Sequence, residues 1–134
     1  MTTDITSQLG AGFDSEIGLQ FLELTPDGGT ARLEITDKLL QPWGIVHGGV
    51  YCAVIESLAS VSGQVWLSEN GEGHVVGVNN NTDFLRAIST GTVTAVSVPI
   101  HRGRRQQLWL ITITDDHDRV VARGQVRLQN LPPE

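Results

Sequence analysis

Cysteine occurs once in this chain, at Cys52. No internal disulfide can therefore form, and neither a paired-cysteine zinc site nor an iron–sulfur cluster has its ligands. A reducing, cytoplasmic setting suits such a composition. Lysine is scarce as well. Of nine basic residues against fifteen acidic ones, eight are arginine, and the net charge is −6. That balance argues against a nucleic-acid binder, which needs basic side chains clustered over an extended face. Met1 to Leu9 has neither a basic start nor an apolar run, so no signal peptide is expected. An uninterrupted apolar run is missing too. The most apolar stretch, Gly44 to Leu67, is broken by His47-Gly48-Gly49, by Glu56 and by several serines, which speaks against a membrane span. His74, His101 and His117 lack the paired spacing of a metal site. Repeats and low-complexity tracts are absent, and 134 residues fit one domain, 1–134, in which 1–15 forms a loosely ordered or short helical lead-in.

The remaining pattern is strand, helix, strand. Glu16 to Leu24 reads as a first strand and Thr30 to Thr36 as a second, joined by the turn signal Thr25-Pro26-Asp27-Gly28-Gly29. After Gly48-Gly49, about eighteen residues free of proline predict a helix running to about Leu67. Val50, Val54, Ile55, Leu58, Val61 and Val65 give it a broad apolar face, and it is expected to be buried on nearly every side. Four strands follow, at His74 to Leu85, Gly91 to His101, Gln107 to Thr114 and Arg119 to Leu131, with Asp115 to Asp118 as a connecting turn. One long helix beside an antiparallel sheet places the chain in the α+β class.

Glu56 does not fit its surroundings. From Leu39 to Ser68 it is the only formally charged side chain. Buried without a partner, such a carboxylate costs several kcal/mol. A bland explanation is an exposed stripe on the helix or an arginine partner from a strand. The neighbours favour a working role. Ser60 lies one turn further on the same face. Gly48 and Gly49 present backbone N–H groups at the positive end of the helix dipole with no Cβ in the way, which is what an oxyanion site requires. Gln41 alone carries no signal, and His47 alone is most simply a turn histidine. The spaced set Gln41, His47-Gly48-Gly49, Glu56, Ser60 is far more specific than any member of it.

At these residues the sequence resembles the hotdog thioesterases, in the branch that holds phenylacetate-pathway proteins, aroyl-CoA thioesterases and dihydroxynaphthoyl-CoA hydrolases. Gln41 to Gly49 followed by Glu56-Ser57 carries the resemblance, with Val75-Val76-Gly77, Asn81, Arg86 and Ile100 to Arg104 as later segments. The resemblance implies a bent antiparallel sheet wrapped around one long helix. It makes Glu56 the nucleophile or general base, Gly48 N–H the donor to the thioester oxygen, Gln41 and His47 the groups that position the carbonyl, and Ser60 the holder of a water or of the carboxylate. Gly77, Phe84, Leu85 and Arg86 would follow the pantetheine and nucleotide. His101, Arg102, Gly103, Arg104, Arg105 and Gln106 would meet the phosphates of coenzyme A, which is substrate here and not a cofactor. The dihydroxynaphthoyl-CoA hydrolases of that branch often carry histidine near the positions of Phe84 and Leu85, and proline or serine at that of Ala87. This chain has neither, so the acyl group stays open between aromatic and medium-chain aliphatic, with Phe84 and Trp43 as candidate pocket walls.

Three functions compete: thioester hydrolysis, a hydratase or dehydratase acting on acyl thioesters, and an acyl-CoA binding protein without catalysis. Hydrolysis is preferred because His47 precedes the glycine pair at the helix start as it does in the thioesterases that the sequence resembles. Helix geometry adds an expectation about assembly. Eight residues at about 1.5 Å each separate Gly48 from Glu56 by roughly 12 Å, too far for one carbonyl to meet both. Antiparallel helices of two chains would bring them together, predicting a homodimer with shared sites, doubled to a homotetramer in the resembling family.

Overall fold

The computed structural model describes Leu9 and residues 11–134; the rest of the expected lead-in lies outside the described residues. A short helix, α1 (Gly12–Ile17), is followed by β1 (Gln20–Thr25) and β2 (Gly28–Glu34). The central helix α2 (Gly48–Asn70) comes next, and then β3 (His74–Phe84), β4 (Thr92–Arg102), β5 (Gln106–Thr114) and β6 (Val120–Leu131). The six strands form one antiparallel sheet in the order β1-β2-β4-β5-β6-β3. This is the hotdog arrangement that the resemblance implies.

Alternation builds the core. Along β5, Gln107, Trp109, Ile111 and Ile113 are buried, and Val93 and Ala95 of β4 and Val126 and Leu128 of β6 join them. Against this layer α2 sets Val54, Ile55, Leu58 and Ala59. Close approach of helix to sheet depends on Gly63, where a Cβ would lie 2.3 Å from Leu128 Cδ1. The fully buried Gln107 amide is satisfied in full: its NH2 donates to Gly63 O and Asn130 Oδ1, and its oxygen accepts from Trp109 Nε1. Losing such a partner would cost about 1–3 kcal/mol, so the polar group fixes the helix position without weakening the core.

Three expectations need correction. The first strand begins at Gln20 and not at Glu16, because Gly18, at φ +84°, ends α1 in a left-handed cap. The central helix is longer than the apolar pattern suggests, starting at Gly48 itself and running to Asn70. Nor is it buried all round. Val50, Ala53, Glu56, Ser57, Ser60, Val61 and Val65 are half-buried, leaving a stripe that the chain's own sheet does not cover. In the β5–β6 turn, Asp115 accepts from His117 N–H, Arg119 N–H and Arg119 Nε. Desolvation opposes the Asp115 charge, yet these donors hold the carboxyl at about 2.

Candidate active site

The N-terminus of α2 is built by a tight loop. A bridge between Leu40 and Val46 closes it, Gln41 N–H donates to Ile45 O at 2.8 Å, and Gly44 turns the chain at φ +82°. His47 is the helix N-cap, and its Nδ1 accepts from Gly49 N–H at 2.8 Å. An imidazole that accepts at Nδ1 carries its proton on Nε2, which is left as a donor. Gln41 Oε1 accepts from Trp43 N–H, so the Gln41 NH2 is also left to donate. Gly48 N–H has no acceptor among the described residues. Three donors thus stand at the positive end of one helix.

Beside them lies a pocket of about 360 Å³ lined by Gln41, Ile45, Val46, Gly48, Tyr51, Phe84, Leu85, Arg86 and Ala87. Its size is within the usual range for small-molecule sites. Phe84 covers Gly48 so closely that a Cβ there would be 2.7 Å from the ring. The structure therefore brings together five of the sequence-derived residues: Gln41, Gly48, Phe84, Leu85 and Arg86. Trp43, also considered as a wall, is 84% exposed at the loop tip and does not line the pocket. Tyr51 lies beneath, its ring 6.3 Å from that of Phe84 and its hydroxyl buried with no partner among the described residues. Burial, and then the Asp115 charge, push that hydroxyl up to about 12.

Glu56 sits two turns along α2, away from the pocket, among different neighbours. Asn80 of β3 donates from Nδ2 to Glu56 Oε1 at 3.2 Å and to Cys52 O at 3.1 Å, and Thr82 Oγ1 donates to Asn80 Oδ1 at 2.7 Å. Gly77 adjoins the other oxygen, since a Cβ at Gly77 would lie 2.1 Å from Glu56 Oε2. Gly77 thus belongs with the carboxylate and not with Phe84, Leu85 and Arg86. Ser60, expected to hold the carboxylate or a water, makes no hydrogen bond to Glu56. Asn80, Thr82 and Tyr51 were not legible as site residues.

The β4–β5 hairpin, His101 to Gln106, lies at the opposite end of α2. Arg102 reaches back to the β1–β2 turn, donating to Pro26 O and Asp27 Oδ1, with its guanidinium 5.9 Å from the Trp66 ring centre. This engagement sets Arg102 apart from the expected phosphate cluster. Gly103 closes the turn against Gln106 O with the His101 ring packed over it, and Gln106 accepts from Arg127. Arg104 and Arg105 remain exposed, and Arg104 borders a second cavity of about 320 Å³ with Trp66, Asn70 and Asn130.

Residues 44–122, more than half of the chain, match the thioesterase superfamily. Rv1847 of Mycobacterium tuberculosis, provisionally named an esterase, is 69% identical over 120 residues, which are 89% of this chain and 86% of that one. Its solved structure superposes with a TM-score of 0.89 at 67% identity, covering 91% of this chain and 98% of the other. The 1,4-dihydroxy-2-naphthoyl-CoA hydrolase of Escherichia coli K12 is 34% identical over 110 residues, 82% of this chain and 79% of that protein. The crystal structure of thioesterase HI1161 from Haemophilus influenzae gives a TM-score of 0.88 at 29% identity, covering 98% of this chain and 93% of its own. The chain therefore belongs to the thioesterase superfamily and is a hotdog-fold thioester hydrolase.

Proposed function

We propose that the protein hydrolyses an acyl-CoA thioester to the free acid and coenzyme A in the cytoplasm, using sites shared between two chains of a dimer. The observation that carries this reading is the layout of α2, where an unclaimed Gly48 N–H opens the helix and the Glu56 carboxylate stands eight residues later. Glu56 attacks the carbonyl carbon or deprotonates the water that does. Gly48 N–H takes the developing oxyanion, with the Gln41 amide and His47 Nε2–H beside it, and the thiolate leaves as water supplies the hydroxyl of the acid. Along the helix, donor and carboxylate are about 12 Å apart, so the partner chain supplies the second half of each site.

Two features support that assembly. The half-buried stripe of α2 includes Glu56, and β3 ends the sheet with a free edge on which Val76 and Val78 are exposed. Edges of this kind are natural places for a second copy to pair. A tetramer made of two such dimers is the larger assembly we expect. Ile45, Val46, Phe84, Leu85 and Ala87 give the pocket an apolar lining suited to an aromatic or medium-chain acyl group. The Escherichia coli relative favours the aromatic class. Arg86 beside the pocket and Arg104 and Arg105 on the hairpin are the cations we assign to coenzyme A phosphates.

The test is thiol release from acetyl-, octanoyl-, benzoyl- and 1,4-dihydroxy-2-naphthoyl-CoA, with crotonyl-CoA hydration measured in parallel. Hydrolysis of at least one of the first four is expected, with Glu56→Ala or Glu56→Gln slower by at least about a hundredfold and folded normally. Wild-type turnover in either variant would remove Glu56 from the mechanism. Hydration of crotonyl-CoA without thiol release would replace hydrolysis of these substrates by lyase chemistry.

A further inference from the structure

The proposed mechanism leaves Asn80 and Thr82 without a role, although both side chains lie beside the carboxylate. Glutamate has three side-chain torsions, and Glu56 is only half-buried, so packing alone does not fix which oxygen faces the substrate. The β3 hydrogen bonds do. Asn80 Nδ2 has two protons and two acceptors, Cys52 O at 3.1 Å and Glu56 Oε1 at 3.2 Å, which sets the orientation of the amide. Thr82 Oγ1 holds the opposite end of that amide at 2.7 Å. On the other side of the carboxylate, Gly77 leaves open the space that a Cβ would fill 2.1 Å from Oε2.

We propose that Asn80, oriented by Thr82, is a positioning residue that fixes Glu56 Oε1, so that Oε2, beside Gly77, is the oxygen that acts on the thioester or its attacking water. The inference rests on the reading of Glu56 as the reacting carboxylate. A β-bulge gives it structural support. The pairing of β3 with β6 shifts register between Gly77 and Asn79, with Gly77 opposite Leu128 and Asn80 opposite Val126. Leu128 and Val126 are both buried on the helix side of the sheet. The extra residue therefore lets Gly77 and Asn80, three apart, face α2 together and flank a single carboxylate. A regular strand, with its period of two, would turn them to opposite faces.

The experiment uses the full chain with benzoyl-CoA or octanoyl-CoA, whichever turns over faster. Asn80→Ala is expected to lower kcat by about 10- to 100-fold, the scale of a carboxylate displaced by an ångström, with KM changed by less than about threefold. Thr82→Val should lose several-fold in kcat, on the order of a third to a tenth of the activity surviving, while Thr82→Ser restores it. Combining Asn80→Ala with Glu56→Gln should cost no more than Glu56→Gln alone, because the positioned group is gone. A wild-type kcat for Asn80→Ala, or a loss that adds in full to that of Glu56→Gln, overturns the positioning role and leaves Glu56 in place. Full activity of Glu56→Gln itself sinks the underlying reading instead. Should Asn80→Ala fold poorly, the Thr82→Val and Thr82→Ser pair decides: equal kcat in both overturns the proposal, and rescue by serine alone supports it.

Discussion

Tyr51 and Gly77 show how single residues serve different ends around one helix. The Tyr51 hydroxyl is buried with no partner among the described residues, a state that removes hydration without replacing it. Tyr51→Phe is expected to stabilise the fold by about 1 kcal/mol, read as a higher thermal midpoint. The sign of its pH dependence follows from the raised value. Below about pH 10 the hydroxyl is protonated in the folded and unfolded chain alike; from there to about 12 the unfolded chain loses its proton first. Stability carried by this group is therefore full below 10 and drains away toward 12. Denaturant midpoints between pH 9 and 12 should fall more steeply for the wild type than for Tyr51→Phe, and parallel curves would show that the hydroxyl titrates normally. Gly77 has no left-handed φ, so its side chain is excluded by the neighbouring carboxylate and not by the backbone. Gly77→Ala should thus keep the thermal midpoint within a few degrees while lowering kcat at least about tenfold, as the methyl displaces Glu56 Oε2. Unchanged turnover would mean that the carboxylate has another working position.

At the scale of elements, β3 marks where the sequence stops being readable. The three hairpins, the long helix and all six strands follow from alternation, turn residues and the stretch after Gly49 that lacks proline. Gln41, His47, Gly48 and Glu56 stand out because their spacing along one loop and one helix is a sequence property. The bulge in β3 is not. Strict alternation from Gly77 would send Asn79, Asn81 and Asp83 toward the helix. The register shift sends Asn80, Thr82 and Phe84 there instead, opposite the buried Val126, Gly124 and Ala122. One extra residue exchanges the faces of everything after it; Asn81 stands out only through the family resemblance, and nothing in the alternation points to Asn80. Alternation also misled at α1, since only the left-handed Gly18 separates a helix from a strand there. The β4–β5 hairpin shows the same limit, because three arginines close in sequence have different surroundings. Arg104→Ala should raise KM for a CoA thioester much more than for a short pantetheine thioester, and added salt should act in the same direction. Arg102→Ala, which breaks contacts to Pro26, Asp27 and Trp66, should instead lower the thermal midpoint and leave that KM ratio alone. Identical KM effects in the two variants would show that the arginines act as one cluster after all.

For the whole molecule, the proposed shared-site dimer makes a prediction that no single-chain site allows. Glu56→Ala carries its lesion at the carboxylate, and the Gln41→Ala, His47→Ala double variant carries its lesions at the donor end. Unfolded together in equal amounts and refolded, the two inactive proteins should form mixed dimers with one intact site each, and activity should return toward about a quarter of wild type. Confirmed mixed dimers that stay inactive would place all the catalytic groups within one chain. The strand order has a further consequence, for the birth of the protein. Among the described residues β3 pairs in the sheet with β6 alone, and the sequence between them, Leu85 to Arg119, must be made before that pairing can start. Until then α2, 23 residues long, has left the ribosome with part of its cover still unmade. A nascent chain in that state leaves the apolar face of α2, with Val54, Ile55 and Leu58, short of its β6 cover, so its passage through synthesis depends on speed or on a chaperone's grip until β6 arrives.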